Sequence, residues 1–242
     1  MSTLCELSLQ EWQAGQLLLV DKPLQWTSFQ VVNKIRWMLK KKLGIKKIKV
    51  GHAGTLDPLA TGLLLVCVGK WTKKIESFQG MDKVYTGTLL LGATTPSFDL
   101  ETEVAGHFPT QHIDQALLEV ARSRFVGEQL QSAPLYSALK KEGVRLYEYA
   151  RKGETVAVPK RKIRISKFSL NSSDFPTIHF VVHCSKGTYI RSLAHDFGLA
   201  VHSGAHLTAL RRTHIGTYDV AEAYSLDHLI RLLDDRSTKH QD

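Results

Sequence analysis

The sequence predicts an α+β fold with a mixed, largely antiparallel sheet flanked by helices and loops. Strand-like and helix-like segments mix along the 242 residues without the strict alternation that is typical of parallel sheets. Residues 160–170 and 177–184 are strand-like runs joined by a short polar loop, which indicates an antiparallel pair. These two observations decide the class.

The first third of the chain is predicted as strand, helix, loop and strand. A short strand covers residues 17–20, and Thr27 or Ser28 caps a helix that runs to Lys40. Residues 51–62 contain three glycines and a proline, so they are predicted as a loop. The apolar run 63–68 follows at once and reads as a buried strand.

The remaining elements follow from the same patterns. Thr110 is predicted to cap an amphipathic helix, and the residues assigned to its apolar face are Ile113, Ala116, Leu117, Val120 and Ala121. The other predictions, in chain order, are a short helix at 71–78, a strand at 83–91, a loop at 92–103, extended chain at 129–134, a short helix at 144–152, a helix from Tyr189 to about Val201, a strand at 206–215 and a helix at 226–233.

The positive charge of the chain brackets the loop at 51–62. The formal net charge is +9, which indicates a polyanionic partner, most simply a nucleic acid. The lysines and arginines nearest this loop are Lys34, Arg36, Lys40, Lys41, Lys42, Lys46, Lys47 and Lys49 before it and Lys70, Lys73 and Lys74 after it. The stretch 40–49 is either a solvated loop or an arm that faces RNA, since basic faces are also common without a partner.

Several functional classes are disfavoured. No apolar run reaches membrane-spanning length, and residues 1–16 lack the pattern of a signal peptide. Cys5, Cys67 and Cys184 are widely spaced, which favours buried thiols over a disulfide framework or a zinc site. Sequence motifs for dinucleotides, phosphate-binding loops and metalloproteases are missing, so neither a cofactor nor a metal is predicted.

The single acid of the loop, Asp57, is the candidate for chemistry. The loop reads GHAGTLDPLATG, and Pro58 drives Asp57 away from the helical region of backbone conformation. Two interpretations are open at this point. A turn aspartate that bonds nearby amides is the commoner case. A carboxylate held in one pose is also what a nucleophile or a base requires.

Six segments together resemble the TruB family of pseudouridine synthases, in its bacterial form. They occur in the family's order over roughly residues 15–216. The segments are LLVDKP at 18–23, GHAGTLDPLATGLL at 51–64, YSALK at 136–140, LYEYAR at 146–151, HCSKGTYIR at 183–191 and GAH at 204–206. The resemblance implies the pseudouridine synthase fold. It also implies the isomerisation of uridine 55 in the T-loop of tRNA, which needs no cofactor.

The resemblance assigns the catalytic roles. Asp57 matches the catalytic aspartate, and Arg191 matches the arginine that pairs with it and keeps it ionised. Tyr85 matches a tyrosine that stacks on the base and handles a proton. Taken singly, Tyr85 could be a half-buried strand residue and Arg191 a surface residue of a helix. Whether Asp57 attacks the sugar, attacks the base or removes a proton stays open.

The resemblance also implies substrate contacts. His52 matches a histidine that fills the gap left by flipped bases, and Tyr189 and Leu210 match residues that wall the uracil pocket. Lys22 and Lys73 are predicted to contact phosphates. Pro96 and Phe98 depart from the more acidic family pattern in the 92–103 loop, so only Asp99 retains a candidate role there.

Competing functions are weighed on the same residues. A non-catalytic module that binds or folds tRNA would have lost Asp57, Tyr85 or Arg191, and all three are present. A nucleoside hydrolase would pair two carboxylates, and Asp57 has no acidic neighbour in its motif.

The organisation and setting of the protein are expectations from the same resemblance. One catalytic domain over 1–235, a disordered tail at 236–242 and no PUA domain are expected. We further expect a cytoplasmic monomer that acts on tRNA without guide RNA, a protein partner or a membrane.

Overall fold

A computed structural model describes residues 4, 6–137, 139–141, 143–151, 154, 156 and 158–234. Its helices are α1 (Leu9–Ala14), α2 (Ser28–Leu43), α3 (Ile75–Gly80), α4 (Gln115–Arg124), α5 (Leu146–Arg151), α6 (Ile190–Ala200) and α7 (Leu226–Asp234), with 3-10 helices at Gly69–Lys74 and Val220–Glu222. Its strands are β1 (Gln16–Lys22), β2 (Val50–Ala53), β3 (Ala60–Val68), β4 (Lys83–Leu91), β5 (Ala93–Thr94), β6 (Gly106–His107), β7 (Gly127–Ser132), β8 (Lys140–Lys141), β9 (Val144–Arg145), β10 (Lys160–Asp174), β11 (Thr177–Cys184), β12 (Ala205–Ile215), β13 (Tyr218–Asp219) and β14 (Tyr224–Ser225). This content confirms the predicted α+β class with a mixed, largely antiparallel sheet.

The chain divides into two compact units. The first unit comprises Met1–Lys83 and Arg211–Asp242, and the second comprises Val84–Leu210. The boundaries fall inside β4 and β12, so each unit contains part of both strands. The predicted single domain over 1–235 remains a prediction, and the tail at 236–242 lies outside the described residues.

Strand β3 is the centre of the first unit. The strand order is β14-β1-β3-β12, with β2 also paired to β3 and β13 to β12. Strand β1 is antiparallel to β3 and parallel to β14. Side chains of β3 alternate between two apolar clusters, one that includes α2 and α7 and one that includes α3. Because both faces of β3 are covered, its sequence reads as the continuous apolar run that predicted a buried strand.

The second unit contains a sheet with the order β12-β4-β11-β10-β7. Strands β10 and β11 form the antiparallel pair that the sequence predicted. The aromatic rings of Phe125, Phe168 and Phe197 pack edge-on or tilted beside this sheet, with centroids about 6 Å apart. This packing fixes α4 and α6 on the sheet, and α6 carries Arg191.

The predicted start of α4 was wrong, and its predicted apolar face was right only in part. The helix begins at Gln115, because the Asp114 carboxylate accepts a hydrogen bond from the Leu117 amide and caps it, and not at Thr110. Its buried residues are Leu118 and Ala121. Of the predicted face, Ala121 is buried, whereas Val120 is 51% exposed.

Smaller corrections concern the ends of elements. Helix α2 continues to Leu43 and ends at Gly44, whose left-handed backbone (φ 64°) stops it within the predicted 40–49 loop. The predicted loop at 51–62 is shorter, since His52 and Ala53 pair with Val66 and Leu65 of β3. Tertiary pairing therefore overrides the weak local propensity of these residues. The predicted end of α5 at Gly153 lies outside the described residues.

Gly62 shows why the loop ends in glycine. Its φ is +103°, and a Cβ at this position would lie 2.2 Å from the carbonyl oxygen of Arg212. We therefore expect Gly62→Ala to destabilise the protein by about 2 kcal/mol or more, since backbone strain and overpacking add. Urea unfolding measures this free energy. Gly80→Ala is the control, because its Cβ would meet nothing within 4 Å; equal unfolding midpoints for the two variants would contradict the expectation.

Candidate active site

Asp57 lies in a tight turn of the first unit. The carbonyl of Asp57 accepts a hydrogen bond from the Ala60 amide at 3.1 Å, with Pro58 at the second position of the turn. The turn connects β2 to β3, and the Leu56 side chain that precedes Asp57 is 3% exposed. The residue before Asp57 is therefore anchored in the core while Asp57 itself remains half-buried.

Every carbonyl from residue 54 to 58 accepts a hydrogen bond. The guanidinium of Arg212 donates to Gly54 at 3.0 Å and to Thr55 at 3.5 Å. The Asp57 carbonyl is bonded within its own turn, the Leu56 carbonyl accepts from the Ser28 hydroxyl, and the Pro58 carbonyl accepts from the Gln25 amide. Because every one of these carbonyls already accepts a hydrogen bond, a movement of the loop would break bonds without forming new ones. The backbone of Asp57 is therefore fixed.

Ser28 forms hydrogen bonds with both backbone polar groups of Leu56. Its hydroxyl donates to the Leu56 carbonyl at 3.1 Å and accepts from the Leu56 amide at 2.8 Å. Ser28 is the first residue of α2 and is 2% exposed. One side chain thus fixes the orientation of the peptide groups immediately before Asp57.

Lys22 and Gln25 hold the residue after Asp57. The Gln25 amide donates to the Pro58 carbonyl at 2.8 Å, and Lys22 Nζ donates to the same oxygen at 3.3 Å. Lys22 Nζ also donates to the carbonyls of Pro23 and Trp26. Because the Lys22 side chain is fully buried and engaged with carbonyls, this placement does not support the phosphate contact predicted for it.

Charge and burial set the protonation of two neighbours of the loop. Burial lowers the pKa of Lys22 to about 8, while the Asp57 carboxylate raises it and Arg212 lowers it further. Lys22 is therefore mainly charged at neutral pH. Burial, and then the charge of Arg212, lower the pKa of His52 below its usual value, which favours a neutral ring.

A cleft rich in lysine, the basic cleft, lies in the same unit. Its volume is about 790 Å³. The lining residues are Gln13, Arg36, Lys40, Lys46, Lys47, Ile48, Lys49, Gly69, Lys70, Thr72 and Lys73. None of these described residues is acidic. Lys73 is exposed here, so its predicted contact with a phosphate is sterically open.

Arg36 lines the basic cleft, and hydrogen bonds hold its side chain in place. Its guanidinium donates to the Asn33 side chain and, at 2.8 Å, to the Val50 carbonyl. The Gly69 amide donates to the Lys49 carbonyl at 2.9 Å and joins the two ends of the cleft. By contrast, Lys41 of the same helix forms an ion pair with Asp234 and does not line the cleft.

Arg191 is the buried cation of the second unit. It is 3% exposed, and its Nη1 donates to the Tyr136 carbonyl at 2.9 Å and the Ser97 carbonyl at 3.3 Å. Its Nε lies 3.6 Å from Oδ2 of Asp99, whose Oδ1 accepts from the Glu101 amide. The structure therefore gives Asp99, the one acid retained from the 92–103 loop, a charged partner.

The other predicted site residues of this unit have defined surroundings. Tyr85 lies in β4 and is 8% exposed. Tyr189 is the N-cap residue of α6, and the Gln131 side chain accepts from its amide at 2.8 Å and donates to its carbonyl at 2.9 Å. Leu210 is half-buried in β12. The predicted pairing of Arg191 with Asp57 joins residues of different units and stays a prediction, as do these roles.

Comparison with known proteins identifies the family. A model described as "TruB family pseudouridylate synthase (N terminal domain)" matches residues 40–190, more than half of the chain. The chain belongs to the TruB family. A second model, "tRNA pseudouridylate synthase B C-terminal domain", matches residues 191–241 of this TruB-family chain.

Relatives extend the match over almost the whole chain. A protein of Flavobacterium johnsoniae named "tRNA pseudouridine synthase B" is 57% identical over 218 residues, which are 90% of this chain and 95% of that protein. A protein of Phocaeicola vulgatus with the same name is 52% identical and covers 92% of this chain and 95% of its own length.

Solved structures share the fold. A chain in "Crystal Structure of a Cbf5-Nop10-Gar1 Complex" is 27% identical with a TM-score of 0.68, over 91% of this chain and 55% of that one. A chain in "Structure of H/ACA RNP bound to a substrate RNA containing 2'-deoxyuridine" is 25% identical with a TM-score of 0.64 and covers 90% and 53%. The TruB-family chain thus spans about half the length of these two.

The cysteines, the metal-binding residue types and the helices can each be compared with the sequence predictions. Cys67 and Cys184 are buried free thiols, and Cys5 lies outside the described ranges. Within those ranges no group of three or more His, Cys, Asp or Glu side chains is arranged to hold a metal ion. Nor does any helix there combine the length and apolar character needed to cross a membrane.

Three residues around the site were missed from sequence. Ser28 was considered only as a possible cap, although its partner Leu56 lies 28 positions away. Arg212 and Gln131 were not singled out, since a buried polar residue in a strand leaves no periodic signal. Only the three-dimensional contacts reveal that these side chains hold Leu56, Gly54 and Tyr189.

Removing the Ser28 hydroxyl should loosen this TruB-family loop. We expect Ser28→Ala to lower the free energy of unfolding by about 1–3 kcal/mol, because the buried amide and carbonyl of Leu56 lose their partner. Hydrogen exchange at the Leu56 amide should accelerate at the same time. Ser203→Ala is the control, since Ser203 donates to the Pro109 carbonyl in the other unit. Unchanged Leu56 exchange in Ser28→Ala would contradict this account.

Proposed function

We propose that the chain is a tRNA pseudouridine synthase that converts uridine 55 in the T-loop of tRNA to pseudouridine. The observation that carries this proposal is the identity of 57% and 52% with relatives named for that activity, over at least 90% of the chain. The choice of uridine 55 rests on the family resemblance of the sequence motifs. The fixed pose of Asp57 supports a catalytic role, since it is what an active-site carboxylate requires.

The proposed reaction is an isomerisation within one nucleotide. The bond between N1 of uracil and C1′ of the ribose breaks, the base turns, and a bond between C5 and C1′ forms. N1 gains a proton and C5 loses one, so no electron or group is exchanged with a second substrate. This balance agrees with the expectation that neither a cofactor nor a metal takes part. The ionised carboxylate of Asp57 acts as nucleophile or base in these steps.

The remaining site residues take the roles that the family implies. Tyr85 stacks on the base and handles the proton at C5, and Arg191 keeps the catalytic carboxylate ionised. His52 fills the space that the flipped bases leave, while Tyr189 and Leu210 enclose the uracil. Flipping is required because the reacting atoms are inaccessible inside the folded T-loop.

The basic cleft provides the electrostatic part of tRNA binding. Cations that line one cleft without a neighbouring carboxylate repel one another, and a phosphate backbone relieves that repulsion. Lys73 is the member of the cleft that the sequence had assigned to a phosphate. We propose that the protein acts as a cytoplasmic monomer on tRNA, without guide RNA or a protein partner. The name of the relatives, "tRNA pseudouridine synthase B", supports tRNA as the substrate.

The decisive experiment uses an unmodified tRNA transcript. The purified protein is incubated with the transcript in buffer that contains magnesium, and pseudouridine is mapped by its carbodiimide adduct. A single modified position at uridine 55 is the expected result. A transcript that is bound and refolded but never modified would favour the alternative, a non-catalytic tRNA-binding or folding module.

Replacing the catalytic carboxylate should separate chemistry from binding. We expect Asp57→Asn to slow turnover by a factor of about 10⁴ or more, as is common when a central catalytic group is removed. Affinity for tRNA should stay within a few-fold, because the basic cleft is intact. Single-turnover assays and filter binding measure the two quantities. Glu76→Gln, an exposed acid in α3, is the control; measurable turnover by pure Asp57→Asn protein would reject the assignment.

Removing two charges from the basic cleft should change how salt affects binding. For Lys46→Gln/Lys70→Gln we expect the slope of log affinity against log salt concentration to fall in magnitude by about 2, one for each lost phosphate contact. The single-turnover rate at saturating protein should not change.

Lys34→Gln/Lys41→Gln is the matched control for this variant. Both lysines lie in α2, flank the exposed Trp37 ring and do not line the basic cleft. The control removes the same charge and should keep the salt slope of the wild type. Equal slopes for all three proteins would refute the proposed function of the cleft.

A further inference from the structure

Phe98 has an unusual backbone conformation in the second unit. The Phe98 amide donates to the Thr95 carbonyl and closes a turn with Pro96 at its second position. The φ of Phe98 is +64°, in the left-handed region that bulky residues avoid. This strain of about 1–3 kcal/mol persists only where other contacts compensate for it. The two residues that depart from the family pattern, Pro96 and Phe98, therefore build one feature.

The compensating contact is a stack on helix α6. The Phe98 ring lies parallel to the His195 ring, with centroids 3.9 Å apart and an interplanar angle of 13°. The Leu207 amide fixes the Phe98 carbonyl at 2.9 Å. Burial lowers the pKa of His195, and its Nδ1 is buried with no hydrogen-bond partner among the described residues. His195 therefore contributes a neutral aromatic surface here.

The stack is adjacent to the Asp99–Arg191 contact. Phe98 and Asp99 are consecutive in the loop, while Arg191 and His195 are four residues apart and so lie on one face of α6. Two neighbouring loop residues thus contact two neighbouring positions of the helix. The Asp99 carbonyl is also held by the hydroxyls of Thr95 and Ser97, which stiffens the connection between the two contacts.

We propose that Phe98 and His195 form a positioning pair that holds Asp99 against Arg191. The inference rests on the proposed function, because it concerns an arginine assigned to that reaction. Phe98 acts on the reaction through Asp99 and Arg191, whereas a residue that only fills space would act on stability alone. His195 serves as the flat surface against which Phe98 is locked in its strained conformation.

The test compares variants of the two rings by single-turnover modification of tRNA. Phe98→Gly is informative because glycine accepts a φ of +64° without strain and removes only the ring. We expect Phe98→Gly and His195→Ala to lower the rate about tenfold, the scale of one aromatic pair, with tRNA affinity within about twofold of the wild type. His195→Phe retains a stacking surface and should restore the rate. His228→Ala, from the stacked Tyr224–His228 pair of the first unit, is the control.

A double-variant cycle separates positioning from general stability. If Phe98 acts through Asp99, adding Phe98→Gly to the Asp99→Asn variant lowers its modification rate little further. An equal tenfold loss of rate in the wild type and in Asp99→Asn overturns the proposal. A wild-type rate for Phe98→Gly, or weaker tRNA binding at an unchanged rate, overturns it as well. A wild-type protein that is inactive on tRNA would refute the proposed function instead. In that case the cycle is measured by urea unfolding. A combined loss of unfolding free energy in the double variant that differs from the sum of the two single losses would support the pair, and a combined loss equal to that sum would overturn it.

Discussion

The carbonyl groups of residues 54–58 impose the constraint on which the first unit depends. Each of these five consecutive acceptors has a donor within the protein, and a carbonyl that is withdrawn from water without a donor costs about 1–3 kcal/mol. Two of the donors are the buried cations Lys22, at the end of β1, and Arg212, in β12. Strand β3 pairs with both strands, so the sheet itself brings these cations to the loop. The pose of Asp57 is thus a consequence of strand order.

In each unit one polar side chain restrains the backbone at, or next to, a predicted site residue. Ser28 bonds both peptide groups of Leu56, and Gln131 bonds both those of Tyr189. A side chain that donates and accepts at once holds a backbone segment at a lower entropic cost than two separate side chains would, since only one side chain loses conformational entropy. Helix α2 and strand β7 supply these side chains, and regular elements hold a site more rigidly than loops do.

The sequence predicted the elements well where pattern and packing agree. Strand β3 was found from its continuous apolar run, and helix α2 was found because its apolar residues repeat with the period of a helix. The start of α4 was missed because Asp114 and Thr110 are both good caps, and only packing decides between them. Asp57 was identified through its motif, whereas the contacts of Arg212, Ser28 and His195 were not predicted. Their partners are distant in sequence, and the need for a partner arises only when the chain is folded.

The burial of Lys22 has an evolutionary consequence. The charge of Asp57 acts on Lys22, so this carboxylate offsets part of the cost of keeping an ammonium group inside the protein. Losing this acid would therefore cost stability as well as the proposed chemistry, because the Lys22 ammonium group would stay buried without the favourable charge. Selection on the fold thus acts at position 57 alongside selection on the reaction.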